Sequence, residues 1–389
     1  MFSDRTNWKL TRNRLTEALE DVRSSGARVF DLTISNPTRA GLRYDDTLIL
    51  QSLASPQAMD YDPEPKGLGS AREAVAAYYR QQHNLRGCTP EQLLLTTSTS
   101  EGYSFVFRLL CNPGDELLVP KPSYPLFEFL ADLQDVNLVP YPLIYDHGWQ
   151  IDLPSLQKAV TKRTRAVVVV HPNNPTGSFV HPQEHESLNH FCRDHALALI
   201  ADEVFLDYAH DRGGQTSFAS NPEVLTFTLS GLSKIVALPQ MKVAWIATSG
   251  PSAQTEPALA RLEVIADTYL SMNAPIQWAT PALLDQRKSI QRQLLDRVLG
   301  NLAELDRQLA VQTTCQRLHV EGGWYAVLRV PVTQTDDELA VALLRRNSVL
   351  VHPGHFYDFP SDGYLVLSLI ATRDDFKEGI KRLLEAVDA

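Results

Sequence analysis

Three polar side chains in the middle of the chain come soon after short apolar segments. Asn174 follows RAVVVV, Asp202 follows ALALIA directly, and Lys234 follows EVLTFTLSGLS. Continuous apolar runs of this length are typical of parallel strands that are covered on both faces. Ligands of parallel sheets bind beyond the carboxyl ends of the strands. An amide, a carboxylate and an amine would meet there, and a desolvated lysine is a nucleophile toward carbonyl compounds. Taken one at a time, Asn174 also fits a turn, Asp202 a helix cap and Lys234 a surface loop.

A run of hydroxyl residues adds a possible anion site. Ser98, Thr99 and Ser100 stand in TTSTSEGYSF, where a predicted strand gives way to a predicted helix. Such residues cap helices, and the free backbone N–H groups at a helix start also attract phosphate. Capping alone would explain them. A second lysine, Lys242, lies eight residues after Lys234.

The elements that must position these residues alternate between strand and helix. This order continues over most of the chain and predicts an α/β fold with a doubly wound, mostly parallel sheet. Residues 255–312 are mostly compatible with helix, and the segment from about residue 322 onward predicts strand, helix, two strands and helix. We therefore predict an N-terminal arm at residues 1–45 that joins a small C-terminal α/β domain at 286–389, and a large domain at 46–285.

The composition limits the classes of partner. The 389 residues carry a formal net charge of −10, which disfavours nucleic acid, and hydrophobic residues make up 44%, enough for a sizeable core. Four scattered cysteines show no metal-binding spacing and are interpreted as reduced thiols. No apolar run reaches the length of a membrane span, and the N-terminus lacks a signal-peptide core. We expect a cytoplasmic protein without a metal site.

The ordered motifs resemble those of one known family. YDPEPKGLGSARE, PGDELLVPKPSYP, HPNNPTG, ADEVF, SGLSK and HPGHF occur in the order and approximate spacing found in the class I/II aminotransferases, which are fold-type I pyridoxal-phosphate enzymes. The resemblance covers essentially the whole chain. It implies a large domain that binds pyridoxal 5′-phosphate, an amino donor and a keto-acid acceptor as substrates, and a homodimer.

The resemblance also implies roles for individual residues. Lys234 would form the Schiff base with the cofactor and shuttle the substrate proton, and Asp202 would hold the ring nitrogen protonated. Asn174 would donate a hydrogen bond to the phenolic oxygen of the ring, and Tyr124 would lie against the ring face. The phosphate ligands implied are Ser98, Thr99, Ser100, Lys242 and Tyr61, of which Tyr61 would reach the site of the neighbouring subunit.

Three positions depart from the family pattern. Lys242 stands where arginine is usual, so a point charge replaces a bidentate fork. Phe205 replaces a tyrosine three residues after Asp202, which removes a hydrogen-bond donor to the cofactor. Members acting on α-amino acids carry an arginine in the penultimate strand that binds the substrate carboxylate, and Val366 occupies this position within one residue. Substitutes from the N-terminal arm are Ser35, Asn36 and the guanidinium of Arg39 or Arg43.

The expected function is therefore amino-group transfer between an amino acid or related amine and a keto acid by a ping-pong Schiff-base mechanism. Two alternatives remain at this point. One is a lyase that performs β-elimination with the same cofactor, and the other is a ligand-sensing module without turnover. The sequence leaves the substrate open because of Val366.

Overall fold

The structure is a computed structural model that describes residues 1–125, 127–211 and 216–388. Within these ranges the helices are α1 (Arg14–Ser24), α2 (Asp46–Ser52), α3 (Gly69–His83), α4 (Thr99–Leu110), α5 (Phe127–Asp132), α6 (Leu153–Ala159), α7 (Pro182–Asp194), α8 (Leu232–Ile235), α9 (Ser252–Tyr269), α10 (Ala274–Asp285), α11 (Arg287–Leu309), α12 (Asp336–Asn347) and α13 (Arg373–Asp388). The strands are β1 (Phe30–Asp31), β2 (Leu93–Thr96), β3 (Glu116–Lys121), β4 (Asn137–Tyr145), β5 (Trp149–Ile151), β6 (Thr164–Val170), β7 (Ala198–Asp202), β8 (Thr226–Gly231), β9 (Ala244–Ser249), β10 (Gln316–Arg317), β11 (Tyr325–Arg329), β12 (Val349–Leu350), β13 (His352–Pro353) and β14 (Tyr364–Ser368).

A large sheet lies at the centre of the fold, with the strand order β2-β9-β8-β7-β6-β3-β4-β5. The five strands β4, β3, β6, β7 and β8 pair in parallel, and β2, β5 and β9 are antiparallel to their neighbours. This arrangement confirms the predicted α/β class with a mostly parallel sheet. It also makes β6, β7 and β8 direct neighbours, so their carboxyl ends lie side by side.

Strand β6 illustrates why the apolar runs form central strands. β-Branched valines fit a pleated surface, and alternate residues point to opposite faces. Val168 and Val170 belong to the cluster that includes α4 and α9, whereas Val167 and Val169 belong to the cluster that includes α6 and α7. Helices therefore cover both faces of the sheet, which explains the continuous apolar sequence.

A second, antiparallel sheet has the order β10-β11-β14-β13 and is built from the C-terminal third of the chain. The N-terminal segment packs here, because β1 pairs with β12 and α1 contacts α12. Leu15, Phe30 and Leu32 share a buried cluster with residues of α12, β14 and α13. The division into an arm at residues 1–45, a large domain at 46–285 and a small domain at 286–389 remains a prediction.

Two details differ from the sequence interpretation or extend it. Val366 lies in β14, which is the last strand in the described part of the chain and not the penultimate one. No helix in the described ranges is both long and apolar enough to cross a membrane.

Candidate active site

The polar residues at the ends of β6, β7 and β8 line one cavity. It has a volume of about 370 Å³ and contains Asn174, Asp202 and Lys234 in its wall. We call it the Lys234 cavity. The register explains the meeting, since Val170 of β6 pairs with Asp202 of β7, and Asp202 pairs with Leu229 of β8. Its volume lies in the range typical of small-molecule sites.

Asp202 is held at the end of β7 by two hydrogen bonds. The Tyr103 hydroxyl donates to Oδ2 at 2.9 Å, and the Val204 backbone N–H donates to Oδ1 at 3.1 Å. Burial raises the pKa of Asp202 to about 6, and these two donors, with Lys234, limit the rise. Hydrogen bonds to the charged form favour a carboxylate, so Asp202 is mostly ionised at neutral pH.

Lys234 lies in the short helix α8, with its amine enclosed by aromatic rings. Its Nζ is 4.9 Å from the ring centre of Trp324 and 5.3 Å from that of Phe205. Burial lowers the pKa of Lys234 to about 8, and the charge of Asp202 opposes the fall. An amine with such a pKa is partly neutral near physiological pH, as a nucleophilic lysine requires.

The backbone around Lys234 is fixed by side chains from other elements. The Tyr208 hydroxyl donates to the Lys234 carbonyl at 2.6 Å, and Gln291 Nε2 donates to the Ile235 carbonyl at 3.0 Å. Gly231, three residues before Lys234, packs tightly: a Cβ there would lie 2.8 Å from the Val243 carbonyl oxygen and from the Ala244 Cβ. Only glycine therefore lets β8 pass this close to β9 and enter α8 without displacement.

The N-terminus of α4 opens into the same cavity. Thr99 and Ser100, its first two residues, line the wall. Ser98 is the N-cap, and its hydroxyl accepts a hydrogen bond from the Glu101 backbone N–H at 3.2 Å. Ser98 thus uses its hydroxyl oxygen to cap α4. Thr99 and Ser100 place their hydroxyl groups and backbone N–H groups near the cavity, where a ligand can bind them. A helix start of this kind attracts an anion.

Aromatic side chains from the large-sheet part and from the C-terminal third complete the cavity. Tyr124 and Phe205 line it together with Tyr325, His352 and Phe356. Asn174 also lines it, and its Oδ1 is buried without a hydrogen-bond partner in the described residues. The side-chain amide of Asn174 is therefore left for a ligand.

The remaining sequence candidates are placed differently. Ser35 lines the Lys234 cavity, but Asn36 and Arg39 are exposed in the turn that follows. Lys242 is exposed, outside the cavity wall, with a left-handed backbone (φ 53°). Tyr61 is 83% exposed on a separate surface.

Some site residues were missed in the sequence. Tyr103 had a usable signal, because it lies four residues after Thr99 and so shares a helix face with it. His352 begins the HPGHF motif but was given no role at the site. Trp324 and Tyr325 had no signal, since their approach to Lys234 depends on how the C-terminal third docks on the large sheet.

The arrangement suits an organic cofactor. An amine, a carboxylate, a free amide and a helix N-terminus around one cavity fit a flat heteroaromatic aldehyde that carries a phosphate. Across the residues that the structure describes, no cluster of three or more histidine, cysteine, aspartate or glutamate side chains has the arrangement of a metal site.

Comparison with known proteins gives a consistent result. The family described as aminotransferase class I and II matches residues 27–386. The alanine aminotransferase of Mycobacterium bovis is 28% identical over 376 residues, covering 93% of this chain and 86% of the relative. The glutamate-pyruvate aminotransferase AlaA of Escherichia coli K12 is 31% identical over 281 residues, covering 72% and 69%. The crystal structure of an Escherichia coli aminotransferase superposes with a TM-score of 0.89 at 25% identity, covering 100% and 98%.

Proposed function

The chain belongs to the class I and II aminotransferase family and is an enzyme that transfers amino groups; on that premise we propose that it works with pyridoxal 5′-phosphate bound in the Lys234 cavity. The observation that carries the proposal is the pair of partly buried ionisable groups in the wall of this cavity. Lys234 has a pKa lowered to about 8 and Asp202 a pKa raised to about 6. Near neutral pH this pair supplies both a reactive amine and a charged carboxylate.

The proposed cofactor supplies an aldehyde that captures amines and a ring that withdraws electrons from the carbon bearing nitrogen. Lys234 would hold the cofactor covalently and, once released, would move a proton at the substrate carbon. Asp202 would accept a hydrogen bond from the ring nitrogen and keep it protonated. The Tyr103 and Val204 donors support this role because they keep the carboxylate ionised and oriented.

The other wall residues bind and orient. The amide of Asn174 would donate to the ring oxygen and Tyr124 would lie against one face of the ring, since both residues line the cavity. Thr99, Ser100 and the N–H groups of α4 bind the phosphate. The Ser98 hydroxyl accepts the capping hydrogen bond from the Glu101 N–H, and its own O–H remains free to donate to the phosphate. Phe205 packs beside the ring without donating a hydrogen bond.

Lys242 and Tyr61 are also proposed as phosphate ligands, although neither lines the cavity. Both are exposed and lie outside the cavity wall of this chain. Lys242 would serve as a phosphate cation. Tyr61, which is 83% exposed in this chain, would serve the phosphate of the other subunit in a homodimer.

The substrates proposed are an amino donor and a keto-acid acceptor that use the site in turn. We place the enzyme in a reducing cytoplasm, a proposal supported by Cys88, Cys111, Cys192 and Cys315, none of which forms a disulfide. Elimination is not proposed, since the family and the named relatives are aminotransferases.

The direct test separates the two halves of the reaction. Protein loaded with pyridoxal phosphate is mixed with amino donors, and absorbance reports conversion of the cofactor to its amine form. Addition of a keto acid then restores the aldehyde form. The Lys234→Ala variant, loaded in the same way, gives the background rate. Release of ammonia and a keto product without consumption of any acceptor would contradict transfer.

A further inference from the structure

We infer that Asp207 and Tyr208 are positioning residues that hold the backbone of Lys234 in place. Tyr208 acts directly, and Asp207 acts through the side chain of Gln291. Both residues lie in the short turn that follows Asp202 in the chain, so one segment would place the carboxylate of Asp202 and also fix the backbone that carries the reactive amine. This inference rests on the proposed function, because the bond that it concerns forms between Lys234 and the cofactor.

The turn that follows Lys234 cannot satisfy all of its carbonyl groups by itself. Helix α8 ends at Ile235, and the residue four positions later, whose N–H would bond to the Ile235 carbonyl in a longer helix, is Pro239. Proline has no N–H, so this carbonyl needs a donor from elsewhere. Ala237 adopts a left-handed backbone (φ 53°), and its carbonyl accepts a hydrogen bond from the Tyr44 hydroxyl at 2.9 Å. Such a conformation persists where the surroundings hold it, so this turn depends on contacts from other elements.

Two side chains hold the carbonyl groups next to the reactive amine. The Tyr208 hydroxyl donates to the Lys234 carbonyl at 2.6 Å, and Gln291 Nε2, in α11, donates to the Ile235 carbonyl at 3.0 Å. Tyr208 is 0% exposed and Gln291 is 6% exposed, so water cannot easily take over these bonds. Loss of either donor would leave a carbonyl with fewer partners and allow the turn to shift.

A buried carboxylate determines how Gln291 is oriented. Asp207 Oδ2 accepts a hydrogen bond from Gln291 Nε2 at 2.5 Å, and the Asp207 side chain is 0% exposed. A carboxylate and a backbone carbonyl only accept hydrogen bonds, so the amide nitrogen of Gln291, and not its oxygen, must face both groups. Asp207 thereby directs the donor end of Gln291 toward the Ile235 carbonyl.

The other oxygen of Asp207 is bonded separately. The Tyr78 hydroxyl donates to Oδ1 at 3.0 Å, and His83 Nε2 lies 2.9 Å from the same atom. Burying a carboxylate is costly unless its oxygens are bonded, and here both are. Neither Tyr78, His83 nor Asp207 lines the Lys234 cavity. The proposed reaction gives this carboxylate no chemical task, whereas orienting Gln291 gives it a positional one.

The bond at issue joins the Lys234 amine to the aldehyde of the cofactor. The amine nitrogen forms a C=N bond to the aldehyde carbon, and the aldehyde oxygen leaves as water with both hydrogens of the amine, so no electrons are gained or lost. Attack requires the nitrogen to lie about 3–3.5 Å from the carbon in the correct direction. The lysine side chain is a flexible four-carbon stem. The position of its backbone therefore decides how often the amine reaches this geometry.

The test separates cofactor binding from bond formation. Full-length apoprotein is mixed with pyridoxal 5′-phosphate at rising concentrations, and stopped-flow absorbance gives the first-order rate of bond formation at saturation. Calorimetry measures binding of pyridoxamine 5′-phosphate, which has no aldehyde and cannot bond to Lys234. Gln291→Met and Tyr208→Phe are each expected to slow bond formation at least about fivefold, because the amine is misplaced. Their affinity for pyridoxamine phosphate is expected to stay within about twofold of the wild type, because the cavity wall is unchanged.

Gln308→Met is the matched control. Gln308 also lies in α11, is 8% exposed and donates to a backbone carbonyl, that of Lys377 at 2.9 Å, but neither residue lines the cavity. This variant is expected to change neither the rate nor the affinity. A wild-type rate in both Gln291→Met and Tyr208→Phe overturns the inference. So does an equal fall in rate and in pyridoxamine phosphate affinity, or an equal slowing in Gln308→Met, because each indicates general loosening of the fold.

A double-mutant cycle tests the link through Asp207. Asp207→Asn keeps the size of the side chain but leaves one acceptor oxygen for three polar neighbours, so bond formation is expected to slow. If Asp207 acts through Gln291, the same change adds little in the Gln291→Met background. No effect in the wild-type background, or equal slowing in both backgrounds, overturns the role of Asp207. If wild-type protein captures the cofactor no faster than Lys234→Ala, the proposed function fails and the inference fails with it.

Failure of the inference alone looks different, since the wild type then forms the bond and the variants form it equally fast.

Discussion

The amine of Lys234 lies 4.9 Å from the ring centre of Trp324, so a residue of the C-terminal third encloses the reactive group at the edge of the large sheet. Phe205 encloses it from a second direction at 5.3 Å. Aromatic faces attract a cation, but burial away from water disfavours it more strongly here, and the pKa of Lys234 falls to about 8. The packing of the C-terminal third against the large sheet thus sets the reactivity of one amine.

The first prediction concerns the pH dependence of that amine. Below its pKa Lys234 is protonated and cannot attack an aldehyde, so the rate of cofactor capture by the apoprotein rises with pH and levels off above about 8. In Asp202→Asn the carboxylate no longer favours the charged amine, and the inflection moves to lower pH. Stopped-flow absorbance after mixing with pyridoxal phosphate measures both curves. An inflection near 10, the range of an ordinary lysine, would show that Lys234 is not desolvated.

The second prediction concerns the hydrogen bond between Tyr103 and Asp202. Tyr103→Phe removes a donor to the charged carboxylate, so the pKa of Asp202 rises above its value of about 6. When the pH is lowered, activity that requires ionised Asp202 is therefore lost about one pH unit higher in this variant than in the wild type. The pH profile of the transfer rate measures the shift. Tyr269→Phe, which changes an exposed tyrosine elsewhere, serves as the control. If both variants lose activity at the same low pH, Tyr103 does not help to keep Asp202 ionised.

The third prediction concerns the close approach at Gly231. A Cβ in Gly231→Ala meets the Val243 carbonyl and Ala244 at 2.8 Å, whereas Gly148→Ala meets nothing within 4 Å. The first variant is expected to lose about 1–3 kcal/mol of unfolding free energy and the second less than about 0.5 kcal/mol. Urea unfolding followed by circular dichroism measures both. If Gly231→Ala and Gly148→Ala unfold at the same urea concentration, β8 and β9 can separate at this point at little cost.

The fourth prediction concerns the proposed dimer. If Tyr61 serves the site of the other subunit, Tyr61→Ala and Lys234→Ala are each impaired alone, but their mixed dimer has one complete site. Random reassembly of equal amounts is expected to restore about a quarter of the wild-type rate, because half of the dimers are mixed and each has one working site of two. Sedimentation checks for twice the 43.5 kDa chain mass. Activity no higher than the sum of the separate variants would place Tyr61 in its own subunit or outside the site.

The sequence predicted the part of the site that depends on parallel strands. Asn174, Asp202 and Lys234 follow apolar runs, and parallel strands bring such ends to one edge whatever the loops between them do. Ser98 as a helix cap was likewise visible, because capping depends on neighbours in the chain.

The rest depends on relationships that local patterns do not contain. The pairing of Val366 with His352 is a register between separate strands, and Trp324 reaches Lys234 only after the C-terminal third has docked. The spacing of Lys242 from Lys234 suggested a charge beside the phosphate, yet its side chain is exposed and outside the cavity wall. Sequence spacing fixes distance along the chain but not side-chain direction.

The central claim is that Lys234 carries the cofactor in this cavity. Reduction of the loaded protein with borohydride makes such a bond permanent, and digestion followed by mass spectrometry locates the added mass. Cofactor mass is expected on Lys234 alone, and none is expected on the Lys234→Ala variant treated in the same way. Cofactor mass on a different lysine, or none on the peptide that contains Lys234, would contradict it.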